Sequence, residues 1–189
     1  ISAVPIVVNK ILVPQLRRLQ DLHPFLNVEL VPESRNIDLT AREADLALRL
    51  ARPDTGGLSI KASKIGLLRF GVFGPASGPA PGHWIGYDES HAHLPQAKWL
   101  QALKGLERSS LRVADAQTAL EAVAAGLGVS LLPRLAALRD PRLRELSSDL
   151  SPSGTSRPVW LLSHRDQSER LSLAAAKEWL MSIPWDGDD

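Results

Sequence analysis

The chain has 189 residues, 44% of them hydrophobic and 23% charged, with 22 basic against 21 acidic side chains and a formal net charge of +1. That length and mixture can bury a sizeable core and exclude disorder as a global description. The near balance of charge excludes a dedicated nucleic-acid surface, which carries a concentrated basic excess. The absence of cysteine excludes disulfides, thiol catalysis and thiolate metal sites, and fits a reducing compartment.

No apolar run approaches the roughly 20 residues of a membrane helix. The opening Ile1-Ser2-Ala3-Val4-Pro5 has no initiator Met and no basic stretch, and reads as an internal start. Val8, Ile11, Leu12, Leu16 and Leu19 then fall on one face and predict a helix from Pro5 to Leu22. Pro14 inside it removes a backbone donor and is expected to kink the helix or mark its true start, after a strand ending near Ile1. His23-Pro24 closes the helix. Val28 to Val31 alternates as a strand, residues 32–36 form a turn, and Ile37 to Glu43 form a short helix capped by Asn36. Asp45 to Leu50 is a mostly apolar strand, so the order so far implies a parallel α/β sheet.

Ser59 to Ser63 and Leu67 to Phe73 read as two further strands. "GPASGPAPGH", residues 74–83, is the clearest linker. A second α/β unit follows: a strand at Trp84 to Tyr87, a helix at Leu94 to Leu103 and a strand at Leu111 to Ala114. Asp115 then caps a helix to Ala125, with Ala116, Ala119, Leu120, Val123 and Ala124 on one face, and Val129 to Leu132 is a strand. "SSDLSPSGTSRP", residues 147–158, is a second linker-like stretch. After it come a strand at Val159 to Leu162 and a helix from Ser168 to Met181 with Leu171, Ala174, Ala175, Glu178 and Trp179 along one side, then an acidic tail. One linker in and one out suggest a subdomain inserted into the first, hence two lobes with a natural ligand cleft.

The stretch "EAVAAGLGVSLLP", residues 121–133, ends a helix on two glycines and enters a strand directly. Gly126 suits a left-handed cap, and Gly128 lets the strand start close against the helix. The run to Leu132 reads as a central parallel strand buried on both faces, and Pro133 ends it at the edge where open α/β sheets bind ligands. Taken alone, the stretch equally suits a tight helix-to-strand turn of any α/β fold.

Catalytic patterns are missing. His91-x-His93 has metal-pair spacing but lacks a third ligand, so no metal site is expected. His23 at a helix end reads as structural. "GVSLL" breaks G-x-S-x-G, "GLGVSL" does not complete G-x-G-x-x-G, and no Walker loop is present. Asp88-Glu89 is an adjacent pair in a polar run. No nucleophile–base set emerges, so neither an enzyme nor a cofactor is expected.

"LVPQLRRLQDLHPFLNVEL", "READLALRL" and "DAQTALEAVAAGLGVSLLP" stand in this order, together with "WIGYDESHAHLPQAKWL" and "VWLLSHRDQSERL…KEWL". Across nearly the whole chain this set resembles the effector-binding region of LysR-type transcriptional regulators, without their N-terminal winged helix-turn-helix and linker helix. The resemblance implies an α/β fold like that of type 2 periplasmic binding proteins, two lobes joined by two crossover strands. Lobe I would be residues 1–73 and 158–189, and lobe II residues 74–157.

The resemblance places effector contacts at Val4, Pro5, Ser34, Arg49, Leu50 and Ala51 in lobe I, and at Ile85, Gly86, Tyr87, Asp115, Ala116 and Pro133 in lobe II. Two helix N-termini, near Pro5 and near Ala116, would face the cleft and suit small organic acids, although a carboxylate at Asp115 competes for the same donors. Each residue also has a plain structural reading: Ser34 as a turn residue, Arg49 as an ion-pair partner, Trp84 and Tyr87 as packing, and Asp115 as a helix cap. The expected function is that of a cytoplasmic effector-binding regulatory domain. A bound small molecule would shift lobe or dimer arrangement, and so the DNA-binding geometry of a longer protein. The resemblance implies a homodimer, using the helix around Leu12 to Leu22 and tetrameric when full-length, with DNA contacted only through a domain outside these residues and no membrane contact. The alternative is a solute-binding protein of the same fold that delivers a ligand to a transporter.

Overall fold

The computed structural model describes residues 1–34, 44–52, 59–78, 82–102, 111–146, 155–165 and 170–187. The helix expected at residues 36–43, the end of the helix at Leu103, most of the second linker and the start of the last helix at Ser168 lie outside them.

The chain divides into two units, Ile1–Leu68 with Arg157–Asp189, and Arg69–Ser156. In the first, β1 (Ser2–Ala3) leads into α1 (Pro5–Val7), a π-helical turn (Val8–Leu12) and α2 (Val13–Leu22). The proline thus shapes the helix from within. Pro14 has no N–H to return to the preceding turn, and that turn is widened, with Val13 N–H bonded to Val8 O. Ile11, Leu12 and Leu19 are buried as their spacing predicts, and His23 N–H closes the helix on Leu19 O at 2.9 Å.

β1 is the hub of this sheet. It pairs in parallel with β2 (Val31–Pro32) and with β3 (Leu46–Arg49), in the register Ser2↔Val31 and Ser2↔Ala47. The second strand is therefore later and shorter than the alternation at Val28 to Val31 suggested. The stretch level with Ser2 and Ala3 forms the ladder, through Val31 N–H to Ile1 O and Glu33 N–H to Ala3 O, while Glu29 O accepts from the Ile1 ammonium at 2.7 Å. β9 (Ser156–His164) runs antiparallel to β3 from Leu46↔Ser163 to Arg49↔Trp160.

The two strands expected between Ser59 and Phe73 are one, β4 (Ile60–Pro75), a neighbour of β9. The sequence pattern breaks at Gly66 for a packing reason. A Cβ there would run into Trp185 Cβ and lie 2.8 Å from Cγ and 3.0 Å from Cδ1, so the strand passes under Trp185 at a distance that only glycine admits.

α6 (Leu171–Met181) presents a different face from the one expected. Leu173, Ala176, Trp179 and Leu180 are buried, whereas Leu171 is 87% exposed and Ala174 and Glu178 face solvent. Three consecutive alanines carry no phase information. The phase is set by Leu173, Leu180 and the Trp179 indole, whose N–H reaches Gln15 O at 3.3 Å.

In the second unit, β5 (Ile85–Tyr87) and β6 (Leu111–Val113) pair in parallel, with α3 (Pro95–Ala102) between them in sequence. α4 (Ala116–Ala124) returns to β7 (Ser130–Pro133), every residue of which is buried. β7 is buried as expected, but it ends the order of the larger sheet and is not a parallel strand. It runs antiparallel to β4, from Phe70↔Pro133 to Phe73↔Ser130, while Val129 bridges in parallel to Trp84. α5 (Arg134–Ala137) and β8 (Leu143–Glu145), antiparallel to the end of β4, were not foreseen. They are one turn and three residues long, too short to show a period.

Gly126 has φ 78° and takes the left-handed position after α4. Gly126→Ala is expected to cost about 1–2 kcal/mol, read as a lower urea midpoint with an unchanged slope. Gly128 serves a different neighbour from the one anticipated. A Cβ there would meet His83 O at 2.8 Å and Ile85 Cγ1 at 3.0 Å, so the close approach is to the strand beside it rather than to the helix.

Candidate functional site

Parallel pairing decides which of the expected residues meet. In the first unit β1, β2 and β3 run the same way, so their C-terminal ends share one edge. Val4 and Pro5 follow β1, Ser34 lies two residues beyond β2, and Arg49 ends β3 with Leu50 and Ala51 after it. Ser34 and Ala51 are exposed, and Val4, Pro5, Arg49 and Leu50 are half-buried.

Arg49 is a half-buried strand end tied to its neighbours. Its guanidinium donates to Leu48 O at 2.8 Å, to Ser2 O at 3.4 Å and to Ser2 Oγ at 3.3 Å. Burial pulls its pKa below the ordinary arginine value, and the Glu33 carboxylate pulls the other way. Arginine stays charged under such a shift, so this edge holds a fixed cation with a carboxylate in electrostatic reach. Ser2 and Glu33 escaped the sequence reading. Ser2 is fully buried, and only the β1–β3 register brings it to Arg49.

The start of the first helix has no carboxylate on it. Val4 occupies the N-cap position with extended backbone, makes no side-chain cap bond, and is followed by Pro5 in the first turn. The start of α4 is the opposite. Asp115 Oδ1 accepts from Gln117 N–H at 2.8 Å and Thr118 N–H at 3.0 Å, and Oδ2 accepts from Thr118 Oγ1 at 2.7 Å. The donors an anion would need there are satisfied within the chain. Asp115→Ala is expected to cost about 0.5–2 kcal/mol, checked by urea unfolding.

In the second unit Tyr87, Asp115, Ala116 and Pro133 also gather at strand C-termini. Tyr87 pairs with Val113, two residues before Asp115, and Asp88 N–H bonds Val113 O at 3.1 Å. Ile85 N–H bonds Val129 O at 2.9 Å, which sets β5 beside the strand that ends at Pro133. Ile85 is fully buried and Tyr87 is 8% exposed, so both also pack the unit. Ser130, unnoticed in the sequence, is fully buried and donates to Ile85 O at 3.1 Å.

A separate cleft of about 320 Å³ lies at the other end of the first unit's strands, lined by Ile1, Glu29, Asp45, Leu173 and Ala176 among others. None of the expected contacts lines it. Among the described residues, no group of three or more His, Asp or Glu side chains could hold a metal ion, and no helix is long and apolar enough to cross a membrane.

The family model of the LysR substrate binding domain matches residues 1–182. The chain is 25% identical over 135 residues to the Mau operon transcriptional activator of Paracoccus denitrificans, a match covering 70% of this chain and 47% of that protein. The chain thus spans about half the length of this curated relative. Among solved structures, the regulatory domain of CrgA, a LysR-type transcriptional regulator from Neisseria meningitidis, is similar with a TM-score of 0.76 at 17% identity, covering 95% of each chain. The Synechocystis CcmR regulatory domain in complex with 2-PG gives a TM-score of 0.69 at 15% identity, covering 96% of this chain and 94% of that one. Both likenesses establish the fold, which is the type 2 periplasmic-binding-protein-like α/β fold of LysR effector domains.

Proposed function

This chain belongs to the LysR substrate-binding domain family, and from that membership we propose that it is the effector-binding, regulatory part of a cytoplasmic LysR-type transcriptional regulator. The small-molecule effector takes its contacts from the C-terminal strand edges of both units: Val4, Pro5, Ser34, Arg49, Leu50 and Ala51 in the regulatory lobe that carries β1–β3, and Ile85, Gly86, Tyr87, Asp115, Ala116 and Pro133 in the other. Nothing in the fold or the comparisons favours delivery of a solute to a transporter.

The observation that carries the effector class is the contrast between the two helix starts. α4 is already neutralised by the Asp115 carboxylate. The first helix starts without a side-chain cap, on the edge that also presents Arg49 and Ser34. An anionic group is attracted by uncapped helical N–H donors and by a fixed guanidinium. A small organic acid therefore places its carboxylate at the helix start beside Pro5, with Ser34 and Arg49. Binding shifts the regulator only as far as the acid prefers one arrangement of the homo-oligomer over another. DNA is contacted through parts of a longer protein outside this chain.

Thermal unfolding against a panel of small organic acids, with their uncharged amides as controls, tests this reading. A ligand of the native state raises the melting temperature, by an amount equivalent to about 2.7 kcal/mol at a hundred times Kd. At least one acid is expected to raise it while its amide does not. A panel in which only amides or amines stabilise the domain would overturn the assignment of an acid.

A further inference from the structure

The turn leaving β5 carries two imidazoles that the effector site does not use. Asp88 caps a 3-10 turn, Glu89–His91, and its Oδ1 accepts from His91 N–H at 3.0 Å and from Ser90 Oγ at 2.7 Å. The same Oδ1 lies 2.7 Å from His91 Nδ1, and Ser90 O lies 3.0 Å from His93 Nδ1. An ionised carboxylate and a backbone carbonyl can only accept. Ser90 Oγ, 2.9 Å from His91 Nδ1, gives its proton to Asp88 and so accepts there as well. Both neutral rings therefore carry their proton on Nδ1 and leave the Nε2 lone pair bare. Neither Nε2 has a hydrogen-bond partner among the described residues.

This is the arrangement of imidazoles set to ligate a metal, with the distal nitrogen fixed by a carboxylate or carbonyl behind it. The two rings are stacked, centroids 6.5 Å apart and planes at 25°. His93 is exposed and the His91 side chain is 31% exposed. An ion about 2.0–2.1 Å from each Nε2 and in the plane of each ring requires the centroids to close by roughly 1–2 Å and the near-parallel planes to turn toward each other, by χ rotations of exposed side chains. Neutral imidazole is a ligand for zinc, copper and nickel and a poor one for magnesium or calcium.

We propose that His91 and His93 form an open, two-imidazole site for a divalent transition-metal ion such as Zn²⁺, backed by Asp88 and Ser90 and completed by water. The ion staples the Asp88-to-His93 turn that follows Tyr87.

Titration of ZnCl2 into the chain by calorimetry, in a non-chelating buffer at about pH 7.5 and about pH 5.5, either side of the ordinary imidazole range, tests the site. One ion is expected to bind per chain at the higher pH and far more weakly at the lower, because protonated imidazole cannot ligate. His91→Ala and His93→Ala should each abolish binding. A triple variant of His23, His83 and His164 to Ala should retain it. Asp88→Asn should weaken it about 10–100-fold, as loss of an outer-shell partner does, and circular dichroism of each variant separates this from unfolding. No heat at the higher pH, binding that survives the loss of both His91 and His93, or binding lost in the triple variant while its fold is intact would overturn the proposal.

Discussion

Trp185→Ala is expected to lower stability by about 3–5 kcal/mol, the range for truncating a buried indole. Trp185 is 2% exposed, donates its ring N–H to Leu180 O at 3.0 Å, and lies across Gly66 of β4. Truncation leaves a cavity over the strand and an unpaired carbonyl. At about 2–4 °C per kcal/mol for a chain of this size, the loss is visible in any melting curve. Gly66→Ala attacks the same contact from the other side and is expected to cost about 1–3 kcal/mol by overpacking, since the new methyl meets the indole at its base. The two effects should not add. The atom nearest that methyl is Trp185 Cβ, which alanine keeps, so the methyl has room only in a Trp185→Gly background; there Gly66→Ala should become nearly neutral, a coupling of about 1–3 kcal/mol in a double-mutant cycle. If Gly66→Ala cost the same in both backgrounds, Trp185 would not be what demands glycine at that position.

The second large effect is on binding. Arg49→Ala is expected to weaken the organic-acid effector by about 1.5–3 kcal/mol, the worth of a hydrogen bond to a charged group, or roughly 10–150-fold in Kd. The same change removes three donor contacts to Leu48 and Ser2, so it should also loosen β1 against β3. Ser2→Ala separates the two roles. It removes one acceptor of the guanidinium but leaves the charge in place, so it should cost some stability and leave affinity within a few-fold. Equal losses of affinity from Ser2→Ala and Arg49→Ala would assign Arg49 a purely structural role.

The parts of the fold legible in the sequence were those with a period or a stereochemical requirement. The helix from Pro5 to Leu22 repeats its apolar residues over several turns, Asp115 sits where a cap must, and Gly126 takes the backbone angle only glycine takes easily. What failed lacked such a signal. The phase of α6 is invisible across Ala174 to Ala176 and is fixed by Trp179 and Leu180 against distant partners. β4 reads as two strands because Gly66 interrupts it, and the reason lies 119 residues later in sequence, at Trp185. Gly128 was rightly singled out, but its crowded neighbour, His83, lies just ahead of β5, a strand whose proximity sequence distance does not reveal. In the candidate site the positions come from the family resemblance, and the parallel pairing of β1, β2 and β3 puts those of the first unit on one edge. Ser2, Glu33 and Ser130 were not, since their relevance comes from register and burial alone.

The most direct test of the effector-binding reading is a backbone-amide NMR titration of the chain with the organic acid that stabilises it best. The account predicts saturable shifts at Ile6, Ser34, Leu50 and Ala51, with accompanying shifts around Tyr87 and Ala116, all lost in Arg49→Ala. Saturable shifts confined to the cleft around Ile1, Asp45 and Ala176, with those edge amides unmoved, would contradict it and move the binding site to the opposite end of the same strands.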